Sequence, residues 1–133
     1  MAGLDPGPGA AARYTAVTVD HFQRPRNVGR LADADAVGQV EDAARETTIA
    51  MYVRFAADGR VERATFRAFG CSACVAASSM ATELLVGRDR AQAAALTADA
   101  VDAALGGLPP DKRYCAELAA EAVRRALGGS ARA

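Results

Sequence analysis

The chain has 133 residues, a length that suits one domain with a buried core. Its 16 basic and 16 acidic residues balance, and they form no basic block of the kind that marks a nucleic-acid-binding surface. No apolar run approaches the ~20 residues that a membrane-spanning helix needs. We therefore expect a protein that binds neither nucleic acid nor membrane.

The two ends of the chain are rich in small residues. Residues 1–12 are mostly Gly, Pro and Ala, and they lack the charged start and apolar stretch of a secretory signal. We expect them to form a disordered tail, with a second short tail at residues 129–133. Residues 13–128 then form a single domain, and the expected location is the cytoplasm.

The first half of the domain predicts a helix followed by strands. Apolar spacing indicates a helix over residues 14–22, which ends before Pro25 because a residue that precedes proline disfavours helix. A turn at 27–29 and a polar loop over 33–39 follow, with a first strand near 37–40. Residues 47–56 and 61–69 alternate as strands, and Asp58-Gly59 between them is a strong hairpin signal.

The second half of the domain predicts helices. Residues 78–86 have helix composition and stop at Gly87, and short helices are expected over 89–96 and 97–105, the latter with Thr97 as N-cap. The last helix carries one apolar stripe at helical spacing: Cys115, Leu118, Ala119, Ala122, Val123, Ala126 and Leu127. This order predicts an α+β fold, a small antiparallel β-sheet of about three strands with helices packed on one face.

Three cysteines carry the most specific chemistry in the sequence. Cys71 and Cys74 lie where a strand gives way to a helix, and Cys115 begins the last helix. Backbone N–H groups and the dipole at a helix start favour the thiolate, which binds soft metals and attacks sulfur. An odd number of cysteines also argues against a disulfide framework. The pattern indicates a site for Zn²⁺, an iron–sulfur cluster or a persulfide.

Spacing alone leaves other interpretations open for these cysteines. Each could be a small buried hydrophobic residue with no ligand role. A single C-x-x-C also occurs in thioredoxin-like redox proteins, but that fold expects a βαβ unit around the motif, whereas a hairpin precedes it here.

Other polar residues favour structural roles. His21 is the only histidine, and we expect it to be partly exposed at a helix end, where it caps local carbonyls. Ser78 and Ser79 lie inside a predicted helix, and the sequence pairs neither with a base. Acidic residues such as Asp99 and Asp102 are expected to be caps or solvated charges.

Four stretches, taken in order, resemble the U-type iron–sulfur cluster assembly scaffolds, the IscU and NifU N-terminal family. They are D-H-F-Q-R-P-R-N-V-G at 20–29, F-G-C at 69–71 with A-A-S-S at 76–79 and T-E-L at 82–84, L-P-P-D-K at 108–112, and Y-C-A-E-L-A at 114–119. The similarity extends over residues 14–127.

The resemblance implies a role without metabolic catalysis. Such scaffolds accept sulfur from a cysteine desulfurase and assemble a [2Fe–2S] cluster on three cysteines assisted by an aspartate. By this resemblance, Cys71 and Cys115 match two of the three cysteines. The segment 108–112 resembles the L-P-P-V-K segment that an Hsp70-type chaperone grips, but Asp111 puts a charge where that segment has valine.

The sequence departs from the family where the first ligand is expected. The family's A-C-G-D loop falls on residues 44–47, so Arg45 stands in place of the cysteine and Thr47 in place of the aspartate. Cys74 is additional, and one helical turn places it on nearly the same face as Cys71. It could replace the missing ligand, giving a set of Cys71, Cys74 and Cys115.

We expect auxiliary roles near the three cysteines for four further residues: Arg45, Glu46, Thr47 and Lys112. Arg45 beside thiolates would lower their pKa values and could bind an anion, or it could be a solvated loop charge. Glu46, Asp42 or an outside molecule could supply a fourth ligand.

Three functions stay open at this point. The first is a variant scaffold or carrier that binds a cluster, expected to be [2Fe–2S], or zinc through the three cysteines. The second is a metal-free protein of the same fold that docks on the cysteine desulfurase machinery and regulates it. The third is a thiol that accepts sulfur as a persulfide on Cys71. A homodimer that shares a cluster between two chains is compatible with the first, because three ligands per chain are few.

Overall fold

The computed structural model describes residues 13–128, and the predicted tails at 1–12 and 129–133 lie outside the described residues. The elements in chain order are α1 (Ala16–Gln23), β1 (Ala36–Asp42), β2 (Thr47–Phe55), β3 (Val61–Phe69), α2 (Ser72–Leu85), α3 (Arg90–Ala94), α4 (Ala98–Ala104) and α5 (Arg113–Val123). Short 3₁₀ turns at Ala43–Arg45 and Pro110–Lys112 precede β2 and α5, and a π-helical segment, Arg124–Gly128, continues α5. Among the described residues, every helix is too short or too polar to span a bilayer.

The three strands form one antiparallel sheet in the order β1-β2-β3. The register places Met51 between Gly38 of β1 and Phe66 of β3. Gly59 adopts a φ of 88° in the β2–β3 hairpin, a left-handed conformation that glycine adopts without a Cβ penalty. The predicted hairpin is therefore confirmed.

The core lies between this sheet and helices α2 and α5. Ile49, Met51 and Val53 alternate along β2 and are fully buried, as are Leu85 of α2 and Val123 of α5. Strand side chains of this period present one face to the helices. The α+β class, with helices packed on a three-stranded antiparallel sheet, is confirmed.

Gly38 brings β1 unusually close to the end of α5. A Cβ at this position would lie 2.3 Å from the backbone nitrogen of Ala126 and 2.4 Å from the carbonyl oxygen of Ala122. Both atoms belong to the backbone and cannot rotate away. The absence of a side chain at Gly38 is therefore what lets β1 pack against the π-helical segment.

The structure shifts two predicted boundaries and adds a pairing that the sequence did not predict. β1 starts at Ala36, inside the expected polar loop, and α2 starts at Ser72, well before residue 78. The predicted turn at 27–29 also pairs with β3, because Phe66 N–H donates to Asn27 O at 2.9 Å and Gly29 N–H donates to Phe66 O at 2.7 Å. Non-local pairing of this kind leaves no trace in local sequence periodicity.

His21 is buried, so the expectation of a partly exposed, carbonyl-capping residue is wrong. It is 4% exposed, its Nδ1 lies 2.8 Å from Ser79 Oγ, and its Nε2 lies 3.3 Å from Glu83 Oε1. Ser79 Oγ also accepts the Arg26 backbone N–H at 2.9 Å. The motif at 20–29 therefore joins α1 to the middle of α2, and Ser79 has an imidazole partner that the sequence did not indicate.

Candidate metal centre

The start of α2 places two cysteines on one helical turn. Cys71 is the N-cap residue, in extended conformation, and Cys74 N–H donates to Cys71 O at 3.0 Å. Gly70 turns the chain with a φ of 157°, and a Cβ there would come within 3.0 Å of the Thr47 hydroxyl. Glycine thus permits the tight passage from β3 into the helix that carries both thiols.

The start of α5 delivers the third cysteine to the same place. Cys115 lies in the first turn of α5, and its Sγ is 3.6 Å from Cys71 Sγ and 2.8 Å from Cys74 Sγ. Cys71 and Cys74 Sγ atoms lie 3.7 Å apart. Among the described residues, these three thiols form the group of ligand atoms close enough to hold one metal ion.

The three thiols differ in exposure and in their affinity for protons. Cys71 is half-buried, whereas Cys74 and Cys115 are 0% exposed. Hydrogen bonding with Cys115, and then with Cys74, lowers the pKa of Cys71 far below its usual range. The same hydrogen bonds raise the pKa of Cys115. Contact with Cys115 lowers the pKa of Cys74, but the hydrogen bond to Cys71 and burial outweigh it and raise that pKa to about 12. Of the three thiols, the half-buried Cys71 is therefore the one that loses its proton most readily.

Arg45 packs on an aromatic ring beside the cluster. Its guanidinium carbon lies 4.4 Å from the centroid of the Tyr114 ring, and its Nη1 donates to Asp42 at 2.8 Å. Tyr114 places its hydroxyl 3.7 Å from Cys71 Sγ. The Tyr114 ring thus lies between the positive charge of Arg45 and the Cys71 sulfur. Asp42, which also accepts the Arg45 backbone N–H, is held away from the sulfur atoms.

The loop that precedes β2 contains a residue, Glu46, in the left-handed backbone conformation that glycine favours. Glu46 adopts a φ of 50°, at the position where the family loop A-C-G-D has glycine. It is exposed and lies outside the ligand cluster. Thr47 is 2% exposed, donates from Oγ1 to Arg45 O, and reaches the Cys74 sulfur. A neutral hydroxyl therefore stands next to the thiols at the aspartate position.

Lys112 completes the polar surroundings of Cys71. It precedes Cys115 by three residues, so one helical turn brings it to the same side. Burial lowers the pKa of Lys112, but the nearby charges of Cys71 and Tyr14 outweigh this and raise it. Asp111, its neighbour, pairs instead with Arg13. Tyr14, which precedes α1, is a neighbour of Lys112 that the sequence did not indicate, because the two residues are far apart along the chain.

The thiol spacing fits a tetrahedral soft-metal site. Zn–S bonds of about 2.3 Å place the sulfur atoms of a tetrahedron about 3.8 Å apart. The two distances from Cys71, 3.6 and 3.7 Å, already match this spacing, while the 2.8 Å between Cys74 and Cys115 must widen by about 1 Å. The three cysteines are thus close enough to bind a metal ion or a cluster.

Comparison with known families identifies the chain. The family model described as NifU-like N terminal domain matches residues 13–130. The chain belongs to this family. This match confirms the resemblance drawn from the four motifs. Members of the family are scaffolds rather than enzymes.

Relatives of this NifU-like domain include iron–sulfur cluster assembly scaffold proteins. The chain is 46% identical to IscU 1 of Archaeoglobus fulgidus (strain ATCC 49558) over 103 residues, which is 77% of this chain and 67% of the relative. It is 39% identical to IscU of Aquifex aeolicus (strain VF5), over 77% of this chain and 66% of the relative. The chain thus spans about two thirds of the length of these relatives.

Solved structures share the fold. A crystal structure of a protein of unassigned function superposes with a TM-score of 0.69 at 27% identity, covering 86% of this chain and 96% of the other. A protein described as a SUF-system cluster assembly scaffold, from Fervidobacterium islandicum AW-1, gives a TM-score of 0.70 at 16% identity, covering 91% and 99%.

Proposed function

We propose that this NifU-like domain assembles or carries an iron–sulfur cluster, and also accepts zinc, through Cys71, Cys74 and Cys115. The observation that carries the proposal is the convergence of three sulfur atoms within 2.8–3.7 Å at the starts of two helices. Soft thiolate ligands select zinc and iron–sulfur clusters. Cys74 then supplies the ligand that Arg45 cannot.

The coordination of the site also suits a cluster or metal ion that is bound temporarily and then released. Three thiolates fill three positions of a four-coordinate metal, and neither Asp42 nor Glu46 lies in the ligand cluster. The fourth position is therefore open to a ligand from outside the described residues, such as a second copy of this chain or an acceptor protein. Incomplete ligation and the half-exposed Cys71 favour release over permanent storage.

The partners are part of this proposal. A cysteine desulfurase is the expected sulfur donor, because relatives of the chain are assembly scaffolds. The chaperone segment is less well supported, since Leu108 packs against the core and Asp111 pairs with Arg13. A cytoplasmic location stays a prediction from the sequence.

Anaerobic reconstitution with iron and sulfide tests the proposal. We expect the wild type to develop cluster absorption in the visible range and to hold iron and sulfide, and we expect Cys71→Ser, Cys74→Ser and Cys115→Ser each to lose them. Ser72→Ala is the matched control, because it lies on the same turn as Cys71 and Cys74 and offers no soft ligand.

Two results would decide between the proposal and its alternatives. Cluster binding that survives Cys74→Ser would show that the additional cysteine is not a ligand. A wild type that takes up neither cluster nor zinc, but still binds a desulfurase, would favour the metal-free docking protein.

A persulfide on Cys71 is the second candidate, favoured by its exposure and its stabilised thiolate. The mass of the metal-free protein, after incubation with a desulfurase and cysteine, would then increase by one sulfur atom. That increase would disappear in Cys71→Ser.

A further inference from the structure

Cys71 is the accessible member of the three-thiol cluster. It is half-buried, while Cys74 and Cys115 are 0% exposed. A reagent in solution therefore meets the Cys71 sulfur before the other two. Reactive cysteines are typically accessible and lie beside a second thiol.

Cys74 is the second thiol on the same helical turn. The two residues are the N-cap and the third helical residue of α2, joined by the backbone hydrogen bond from Cys74 N–H to Cys71 O. Their Sγ atoms lie 3.7 Å apart, and a disulfide requires about 2.05 Å, a change within reach of side-chain rotation. Cys115 is as near to Cys71 in space, but it belongs to another helix, so its approach depends on how α2 and α5 pack.

The surroundings of Cys71 favour anionic reagents. Lys112 lies near Cys71, and no carboxylate among residues 13–128 forms a salt bridge with it, because Asp111 pairs with Arg13. The Tyr114 hydroxyl, 3.7 Å from Cys71 Sγ, offers a hydrogen-bond donor. An ammonium group and a hydroxyl next to a thiol suit a disulfide that carries carboxylates.

We propose that Cys71 is a site of thiol–disulfide exchange with an anionic low-molecular-mass disulfide of the glutathione type, resolved by Cys74. The Cys71 thiolate attacks one sulfur of glutathione disulfide, forming a mixed disulfide and releasing one glutathione thiolate. The Cys74 thiol then attacks the Cys71 sulfur, its proton passes to the departing glutathione sulfur, and the second glutathione is released as a thiol. Two electrons pass from the cysteine pair to the disulfide, which leaves as two thiols.

Oxidation would also prevent cargo binding, a consequence that rests on the proposed function. A disulfide between Cys71 and Cys74 removes two of the three ligands. Exchange with the thiol pool would therefore control whether the site accepts metal. The exchange reaction itself needs no metal.

Intact mass measurements on the reduced, metal-free protein test the proposal. With glutathione disulfide, we expect the wild type to lose the mass of two hydrogen atoms after a transient glutathione adduct. Cys74→Ser should stop at the adduct, and Cys115→Ser should proceed to the disulfide. Peptide mapping should locate the adduct on Cys71, and Cys71→Ser and Cys71→Ala should not react while they stay folded by circular dichroism.

Lys112 supplies a second, independent arm of this test. We expect Lys112→Gln to slow the reaction with glutathione disulfide about fivefold at low ionic strength, and Lys112→Arg to restore it. The reaction with 2-hydroxyethyl disulfide, which is neutral, should not change in Lys112→Gln.

Three outcomes would overturn the proposal: an adduct that persists in the wild type, a disulfide that forms in Cys74→Ser but not in Cys115→Ser, or equal effects of Lys112→Gln on both reagents. Zinc binding by the reduced protein is measured separately with a chelator competition. The absence of zinc binding, together with a failure to take up a cluster on reconstitution, would refute the proposed function and leave the mass result valid.

Discussion

At the scale of single residues, the loop before β2 carries side chains that differ in chemistry from those of the family loop A-C-G-D. Glu46 adopts the left-handed conformation that glycine favours, and Thr47 places a neutral hydroxyl next to Cys74. Arg45, at the cysteine position of that loop, stacks on the ring of Tyr114. In the proposed function, Cys74 of α2 replaces the ligand that the loop before β2 lacks.

His21 gives the stability of the protein a dependence on pH. Burial, followed by the positive charge of Arg26, lowers the pKa of His21 below its usual value of about 6.5, although Glu83 and Asp20 oppose this. The unfolded chain therefore takes up a proton at a higher pH than the folded chain does. Stability contributed by neutral His21 is complete above about pH 6.5 and decreases as the pH falls towards the folded pKa.

Urea unfolding at several pH values checks this prediction. We expect the free energy of unfolding of the wild type to decrease between pH 7.5 and about 5.5. The variant His21→Gln, which cannot titrate, should be less stable at pH 7.5 but show a flatter profile. Equal slopes for the two proteins would mean that another group causes the dependence.

At the scale of elements, backbone contacts set the position of the helices on the sheet. β1 and the π-helical segment Arg124–Gly128 meet at Gly38, where no side chain fits. Ser79, in the middle of α2, contacts both His21 and the backbone of Arg26. The first contact positions the end of α5 on β1, and the second joins α1 to α2. Because α2 and α5 pack on the same sheet, the thiols at their starts lie close enough to hold a single ion.

Gly38→Ala should destabilise the fold strongly. The added Cβ would contact backbone atoms at 2.3 and 2.4 Å, so β1 or the end of α5 must shift. We expect a loss of about 1–3 kcal/mol or more in the free energy of unfolding, measured by urea denaturation. Gly128→Ala is the matched control, because its Cβ would meet only Ala94 Cβ, at 3.9 Å. A similar loss in both variants would contradict the role given to the close approach.

At the scale of the whole molecule, the proposed metal site joins parts of the fold that are distant along the chain. Cys71 and Cys74 begin α2, and Cys115 lies 41 residues beyond Cys74, at the start of α5. A bound ion would therefore link the two helices that cover the sheet. Because a ligand that binds only the folded state stabilises it, metal binding and folding should be coupled.

Thermal unfolding with and without zinc measures this coupling. At a free zinc concentration about 100 times the dissociation constant, we expect a gain of about 2.7 kcal/mol and a higher Tm. A chelator should reverse the gain. Cys115→Ser should show little of it, whereas Ser72→Ala should behave as the wild type does. An increase in Tm that survives Cys115→Ser would place the zinc elsewhere.

The sequence by itself determined the class of the fold and the family. Alternation in β2 and β3, the Asp58-Gly59 turn and the apolar stripe of α5 depend on local periodicity, and they were therefore readable without a structure. The cysteines could also be named in advance, because C-x-x-C at a strand-to-helix junction is a local pattern.

Only the tertiary structure decided how these residues meet. The burial of His21 against Ser79, the pairing of residues 27–29 with β3 and the stacking of Arg45 on Tyr114 join positions far apart in the chain. Local propensity contains no information about such contacts. The distances that bring Cys115 to Cys71 and Cys74 likewise follow from the packing of α2 and α5 on one sheet, which the complete fold alone fixes.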